Sequence, residues 1–392
     1  MKGKVALTLV CLLLVHCLVF NDALIASAEE SNVDLAPEAK SAILMDMDTG
    51  TVIYEKDADL RLPPASITKI MTMLLVMEAI ESGELNWSDK VRTSERAASM
   101  GGSQIFLEAG EEMTVEDLMK GIAIASGNDA TVAIAEHIAG TEENFVRMMN
   151  EKAKQLGLEN THFANTNGLP ADHHYTSARD IAIMSRALLK YEDITRLTSL
   201  YEDYLRQDTD RPFWLVNTNR LVKFYKGMDG LKTGYTSEAK YCLAATAKRG
   251  DMRMIAVVMG TPTPKVRNKN VVQMLDYAFN HYQTHPIYKK GDILDEVTVD
   301  KGAQTKMKLV APYQISVLTR KGESVDQFTT SIQKPEFVSA PVKMGDVLGQ
   351  VLIEKDGRIE SEMDIVATEE MPRATFWQLL KRTSAALFSV TP

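Results

Sequence analysis

The rhythm of apolar and polar positions changes several times along the chain. An uncharged apolar run, Val5 to Phe20, follows Lys2 and Lys4 and precedes the small-x-small triplet Ala26-Ser27-Ala28. That order predicts a secretory leader over 1–28, since the run is short for a bilayer span of about 20 residues. Residues 29–40 read as a polar linker. Ile43-Leu44-Met45 and Thr51-Val52-Ile53-Tyr54 flank Asp48-Thr49-Gly50, which predicts a hairpin. Behind Pro63-Pro64, the nearly continuous apolar stretch Ile67–Ile80 predicts a helix. Helical patterns recur at Val115–Ala125, Ala130–Ala139, Asn144–Leu156 and Ser177–Leu189. Cys242–Ala247 and Met252–Met259 are apolar runs either side of Lys248-Arg249-Gly250-Asp251, a second hairpin. Strands at both ends of 41–283 with helices between them predict an antiparallel sheet covered by a helical subdomain, an α/β (α+β) arrangement.

From 284 to 370 the helical period disappears. Short alternating runs such as Glu296-Val297-Thr298-Val299 are divided by Gly302, Pro312, Gly322, Pro335, Pro341 and Gly345, predicting a small all-β domain. Residues 371–392 return to helix. A helical wheel gathers Phe376, Trp377, Leu379, Leu380, Leu387 and Phe388 on one face, with Gln378, Lys381 and Arg382 opposite. Aromatics opposed to cations suit a helix lying in a membrane interface.

Composition narrows the partners. The 392 residues sum to a net charge of −9, and the leader holds two lysines and one aspartate, leaving −10. Nucleic acid, which wants a basic face, is excluded. Cys11 and Cys17 fall in the leader, so Cys242 stands alone in an apolar run and reads as a core residue. Neither His-Glu-x-x-His nor paired Cys-x-x-Cys is present, so no metal site is expected.

Three short motifs carry the chemistry. Ser66-Ile67-Thr68-Lys69 opens the apolar helix, and a three-residue spacing on a helix puts Ser66 and Lys69 on one face. A serine hydroxyl needs a partner to take its proton. Lysine can serve only when neutral, a state favoured by burial and by a second nearby cation. Ser126-Gly127-Asn128 lies at the junction of two predicted helices and offers a hydroxyl and an amide. Lys232-Thr233-Gly234 precedes the second hairpin, where a strand can present a cation and a hydroxyl to a carboxylate and glycine allows close backbone approach. Gly227-Met228-Asp229-Gly230-Leu231 reads as a tight turn before it.

Ser-x-x-Lys, Ser-x-Asn and Lys-Thr-Gly in this order mark class A β-lactamases and penicillin-binding proteins. The chain resembles the low-molecular-mass penicillin-binding proteins, the serine D-alanyl-D-alanine carboxypeptidases of peptidase family S11, over nearly its whole length. The resemblance implies a penicillin-binding, β-lactamase-like transpeptidase fold followed by the β-rich domain. It implies Ser66 as acylated nucleophile, Lys69 as general base and Ser126 as proton donor to the leaving D-alanine. Asn128 would orient the peptide, Lys232 and Thr233 would bind the terminal carboxylate, and Gly234 would give room beside them. The N–H groups of Ser66 and Tyr235 would form the oxyanion hole, and Arg220 would assist carboxylate binding. Tyr235 departs from a position often held by histidine. No cofactor is implied. The expected partners are a peptidoglycan pentapeptide ending in D-Ala-D-Ala, β-lactam antibiotics and a membrane surface under the C-terminal helix. The expected location is outside the cytoplasmic membrane, peripheral to its outer face or secreted.

Other readings are weaker. His173, His174 and Asp180 cluster, but no Gly-x-Ser-x-Gly elbow partners them, so the segment reads as structural with Ser177 capping a helix. No Glu-x-x-Leu-Asn loop of the β-lactamase kind lies between Ser126 and Lys232, so a penicilloyl enzyme is expected to persist. A D,D-endopeptidase or a non-catalytic wall-binding protein are the remaining alternatives.

Overall fold

The computed structural model describes residues 33–388, with side chains through 383. The expected leader and the start of the expected linker lie outside the described residues. The N-terminal part begins with the hairpin of β1 (Ser41–Asp46) and β2 (Val52–Lys56), then α1 (Lys69–Glu81). A small hairpin of β3 (Lys90–Arg92) and β4 (Glu112–Thr114) leads to α2 (Val115–Ala125), α3 (Asn128–Ala139), α4 (Glu142–Gln155) and α5 (Ala178–Leu188). A second small hairpin, β5 (Glu202–Leu205) and β6 (Phe213–Val216), precedes β7 (Met228–Thr236), β8 (Lys240–Arg249) and β9 (Met252–Thr261). The main sheet runs β2-β1-β9-β8-β7, and every neighbour is antiparallel.

Both faces of this sheet are covered. Ile43, Met45, Ala244, Ile255 and Val257 face the helical layer, whereas Ala42, Leu44, Leu243, Ala245, Ala256 and Val258 face α6 (Pro264–His281). A strand buried on both sides shows no polar alternation, which is why these strands read as continuous apolar runs. The sequence pattern does not reveal α6, because Arg267 and Asn270 occupy buried positions on its inner face. Its start is nonetheless marked by Thr263, which caps the Val266 N–H, and by Pro264. The segment expected as a polar linker also differs: Leu35, Ala36 and Ala39 are buried in the α6-side core.

Helix α1 is apolar all round and buried on nearly every side, the pattern of a central helix. The chain passes from α6 directly into β10 (Tyr282–Tyr288), and then through β11 (Ile293–Asp300), β12 (Lys306–Val310), β13 (Ile315–Arg320), β14 (Phe328–Gln333), β15 (Phe337–Ser339), β16 (Val347–Lys355) and β17 (Arg358–Ala367). These strands enclose a third apolar core. Six of them form the sheet β14-β16-β17-β12-β11-β15, and β10 pairs with β13. The two parts meet where Asp48 accepts hydrogen bonds from Ser316 Oγ at 2.7 Å and Gln314 Nε2 at 2.8 Å. Helix α7 (Phe376–Phe388) closes the described chain.

Candidate active site

Pro63-Pro64 delivers the chain into a one-turn 3₁₀ helix, Ala65–Thr68, from which α1 continues. Residues three apart eclipse on a 3₁₀ turn, so Ser66 and Lys69 meet: Lys69 Nζ lies 3.1 Å from Ser66 Oγ. The amine also donates to Asn128 Oδ1 and to the Asn167 carbonyl, both at 2.7 Å. Lys69 is fully buried. Burial, and after it the neighbouring Lys232 charge, holds its pKa well below the usual lysine value.

The second motif caps α2. Ser126 takes the left-handed conformation at φ 66°, and its hydroxyl is buried with no partner among the described residues. A buried orphan hydroxyl of this kind is costly unless something else bonds it. Asn128 starts α3, and its side chain is fixed from both ends, accepting from Lys69 and donating to the Gly101 carbonyl at 2.7 Å.

The third motif lies within β7, the edge strand that faces the 3₁₀ turn. Lys232 is buried and donates to the Thr233 carbonyl at 3.1 Å. Burial, together with the Arg267 charge, brings its pKa down to about 7. Thr233 Oγ1 donates to Thr218 Oγ1 at 2.7 Å. At Gly234 a Cβ would stand 2.9 Å from the Pro64 carbonyl oxygen and 3.1 Å from the Ala65 Cβ, so the glycine lets β7 press against the Ser66 turn. Tyr235 is 54% exposed at the rim and stacks on Tyr241 at 4.4 Å between centroids. The tight turn expected over Gly227–Leu231 shrinks to Gly227 at φ 86°, and β7 begins at Met228.

The fold thus links Ser66, Lys69 and Asn128 by hydrogen bonds, sets the Lys232 charge near enough to act on Lys69 and packs Gly234 on the Ser66 turn, with Ser126 close to Asn128 in the chain and Thr233 and Tyr235 on the same strand as Lys232. Arg220 differs. It is exposed and donates to the Tyr201 hydroxyl at 2.9 Å, and none of its bonds joins it to the other residues. Its neighbour Thr218 makes the connection instead.

Several participants are invisible to motif reading. Asn167 contributes only a carbonyl. Gly168, at φ 90°, has no room for a side chain, since a Cβ would fall 1.8 Å from the Ala65 carbonyl oxygen. The turn-rich run Asn165-Thr166-Asn167-Gly168-Leu169-Pro170 signals a loop, but not one folded against the serine. Asp129 is buried beside Asn128 and accepts the N–H groups of Ile105, Leu107 and Ala130. Ser177 does cap α5, accepting the Asp180 N–H at 3.2 Å. Among the described residues no His, Cys, Asp and Glu group could hold a metal ion.

Comparison with known proteins identifies the family. Residues 26–263 match the family described as D-alanyl-D-alanine carboxypeptidase, S11, and residues 282–373 match the C-terminal domain of penicillin-binding protein 5. The chain is 58% identical over 350 residues to D-alanyl-D-alanine carboxypeptidase DacF of Bacillus subtilis (strain 168), covering 89% of this chain and 90% of that one. It is 33% identical over 362 residues to DacC of Escherichia coli (strain K12), covering 90% and 89%. Penicillin-binding protein 5 from Haemophilus influenzae superposes with a TM-score of 0.65 at 32% identity, over 86% of this chain and 98% of that one. The chain belongs to the D-alanyl-D-alanine carboxypeptidase family S11 and has the penicillin-binding fold, a serine hydrolase domain followed by an all-β domain.

Proposed function

We propose that this chain removes the terminal D-alanine from peptidoglycan pentapeptides through an acyl-enzyme on Ser66, and that penicillins acylate the same hydroxyl. One observation carries this reading. A neutral amine has two hydrogens and one lone pair, and two carbonyl oxygens at 2.7 Å take both Lys69 hydrogens. The lone pair is left for Ser66, 3.1 Å away. Lys69 is therefore set to accept the Ser66 proton as the oxygen attacks the carbonyl carbon.

In this mechanism the Lys232 ammonium and the Thr233 hydroxyl bind the terminal carboxylate. The Ser66 and Tyr235 N–H groups hold the developing oxyanion. The unpartnered Ser126 hydroxyl gives its proton to the departing D-alanine amine and regains one from the Lys69 ammonium, which holds the proton taken from Ser66. Lys69 bonds to Ser66, Asn128 and the Asn167 carbonyl and to no carboxylate, which favours a long-lived penicilloyl enzyme over β-lactamase turnover. Location belongs to the same proposal: an exported protein held at the outer membrane face by α7, on which Phe376 and Trp377 are 70% and 74% exposed. Among the described residues no helix is long and apolar enough to cross a membrane.

Ser66→Ala is expected to abolish both labelling by a fluorescent penicillin and release of D-alanine from a pentapeptide, read by mass spectrometry, with the circular dichroism spectrum unchanged. Labelling that survives the substitution would remove Ser66 from the role.

A further inference from the structure

His174 lies outside the three motifs, yet it is buried, with 7% exposure, between the nucleophile turn and the 164–168 loop. Its Nδ1 accepts the Ala164 backbone N–H at 2.9 Å. A backbone N–H can only donate, so Nδ1 carries no hydrogen and the ring hydrogen sits on Nε2. Nε2 is 2.8 Å from Thr68 Oγ1, to which it therefore donates. Thr68 Oγ1 donates in turn to the Ala65 carbonyl at 2.8 Å. Three hydrogen bonds thus run in one direction, from Ala164 through His174 and Thr68 to Ala65.

Both ends of this chain bear on the reacting pair. Ala65 immediately precedes Ser66 and is held at φ 48°, a left-handed value unusual for alanine. At the other end, the loop that starts at Ala164 carries the Asn167 carbonyl bonded to Lys69. That loop is also tied to α1 by Thr72, which donates to the Thr166 carbonyl at 2.7 Å, and to α4 through the Thr166 hydroxyl and Glu142 at 2.9 Å. Burial keeps the ring neutral, with its pKa lowered to about 4. A second ring hydrogen would point at the Ala164 N–H and break the chain.

We infer that His174 is a positioning residue for acylation: by spanning Ala164 and Thr68 it fixes the nucleophile turn against the loop that orients Lys69. The inference rests on the acyl-transfer reading above. Buried at 7% exposure, His174 is kept from contact with a substrate, so its loss acts on the rate of the chemical step rather than on substrate affinity.

His174→Leu fills the space but leaves the Ala164 N–H and the Thr68 hydroxyl unpaired. His174→Gln offers a carbonyl to Ala164 and an amide N–H to Thr68. Penicillin acylation and pentapeptide kcat are expected to fall about 10- to 100-fold in the leucine variant, the range for a slightly misplaced reacting group. KM should stay within about twofold, and the glutamine variant should recover most of the rate. Thr68→Val cuts the same chain at its middle link and gives the test if His174→Leu does not fold. Wild-type acylation rates in the leucine and valine variants would overturn the inference, as would equal losses with leucine and glutamine. A wild-type chain that takes up no penicillin would overturn the acyl-transfer reading and this inference together.

Discussion

Two buried lysines stand near one another in a chain whose net charge is −9. Their proximity sets their division of labour. The Lys232 charge adds to burial in depressing Lys69, whereas Lys232 is brought down to about 7 by its own burial and the Arg267 charge. On the proposed mechanism, acylation is expected to rise with pH as Lys69 loses its proton and to fall as pH passes about 7 and Lys232 loses the charge that would hold a carboxylate. Lys232→Gln removes a cation beside Lys69, which raises the Lys69 pKa. The rising limb of the pH–acylation profile should move to higher pH and the falling limb should vanish. A rising limb that does not move would refute the coupling. At this scale the sequence is informative where side-chain identity matters. Lys69 between Ile67, Ile70 and Met71 already reads as a buried amine. Asn167 cannot be found this way, because any residue has a carbonyl, and His174 cannot, because its partners are distant in sequence.

Among the elements, the loop of residues 164–168 matters as much as the helices. Its contact with the nucleophile turn depends on Gly168, where a methyl group would collide with the Ala65 carbonyl and φ lies in glycine's region. Gly168→Ala is expected to cost roughly 1–3 kcal/mol in urea unfolding and to slow penicillin acylation by about 100-fold. Unchanged acylation kinetics would show that the turn tolerates displacement. Helices α1 to α5 were legible from apolar spacing to within a few residues, since each buries one face or, for α1, all of them. Helix α6 escaped because polar side chains stand on its buried face. Gly230 was misread as part of a turn when it lies within β7, where a Cβ would come 2.7 Å from Thr198 Oγ1. Glycine marks both bends and close approaches, and the sequence alone does not separate them.

For the whole molecule, two cores flank the main sheet and a third lies in the β domain. Helix α7 lies against the β domain through Arg382, which donates to the Gly302 carbonyl at 2.7 Å and also to the Ala303 carbonyl. That contact orients the helix while Phe376 and Trp377 remain outside, edge to face at 5.6 Å. Replacing both aromatics with aspartate is expected to abolish sedimentation with phosphatidylglycerol vesicles while leaving penicillin acylation unchanged. Undiminished sedimentation would rule out this face as the anchor. Finally, the serine turn is gripped between Gly168 of the helical layer and Gly234 of the sheet. The Ser66 turn is therefore the seam between the two layers. Any sliding of one layer over the other registers first as lost chemistry, before either core opens.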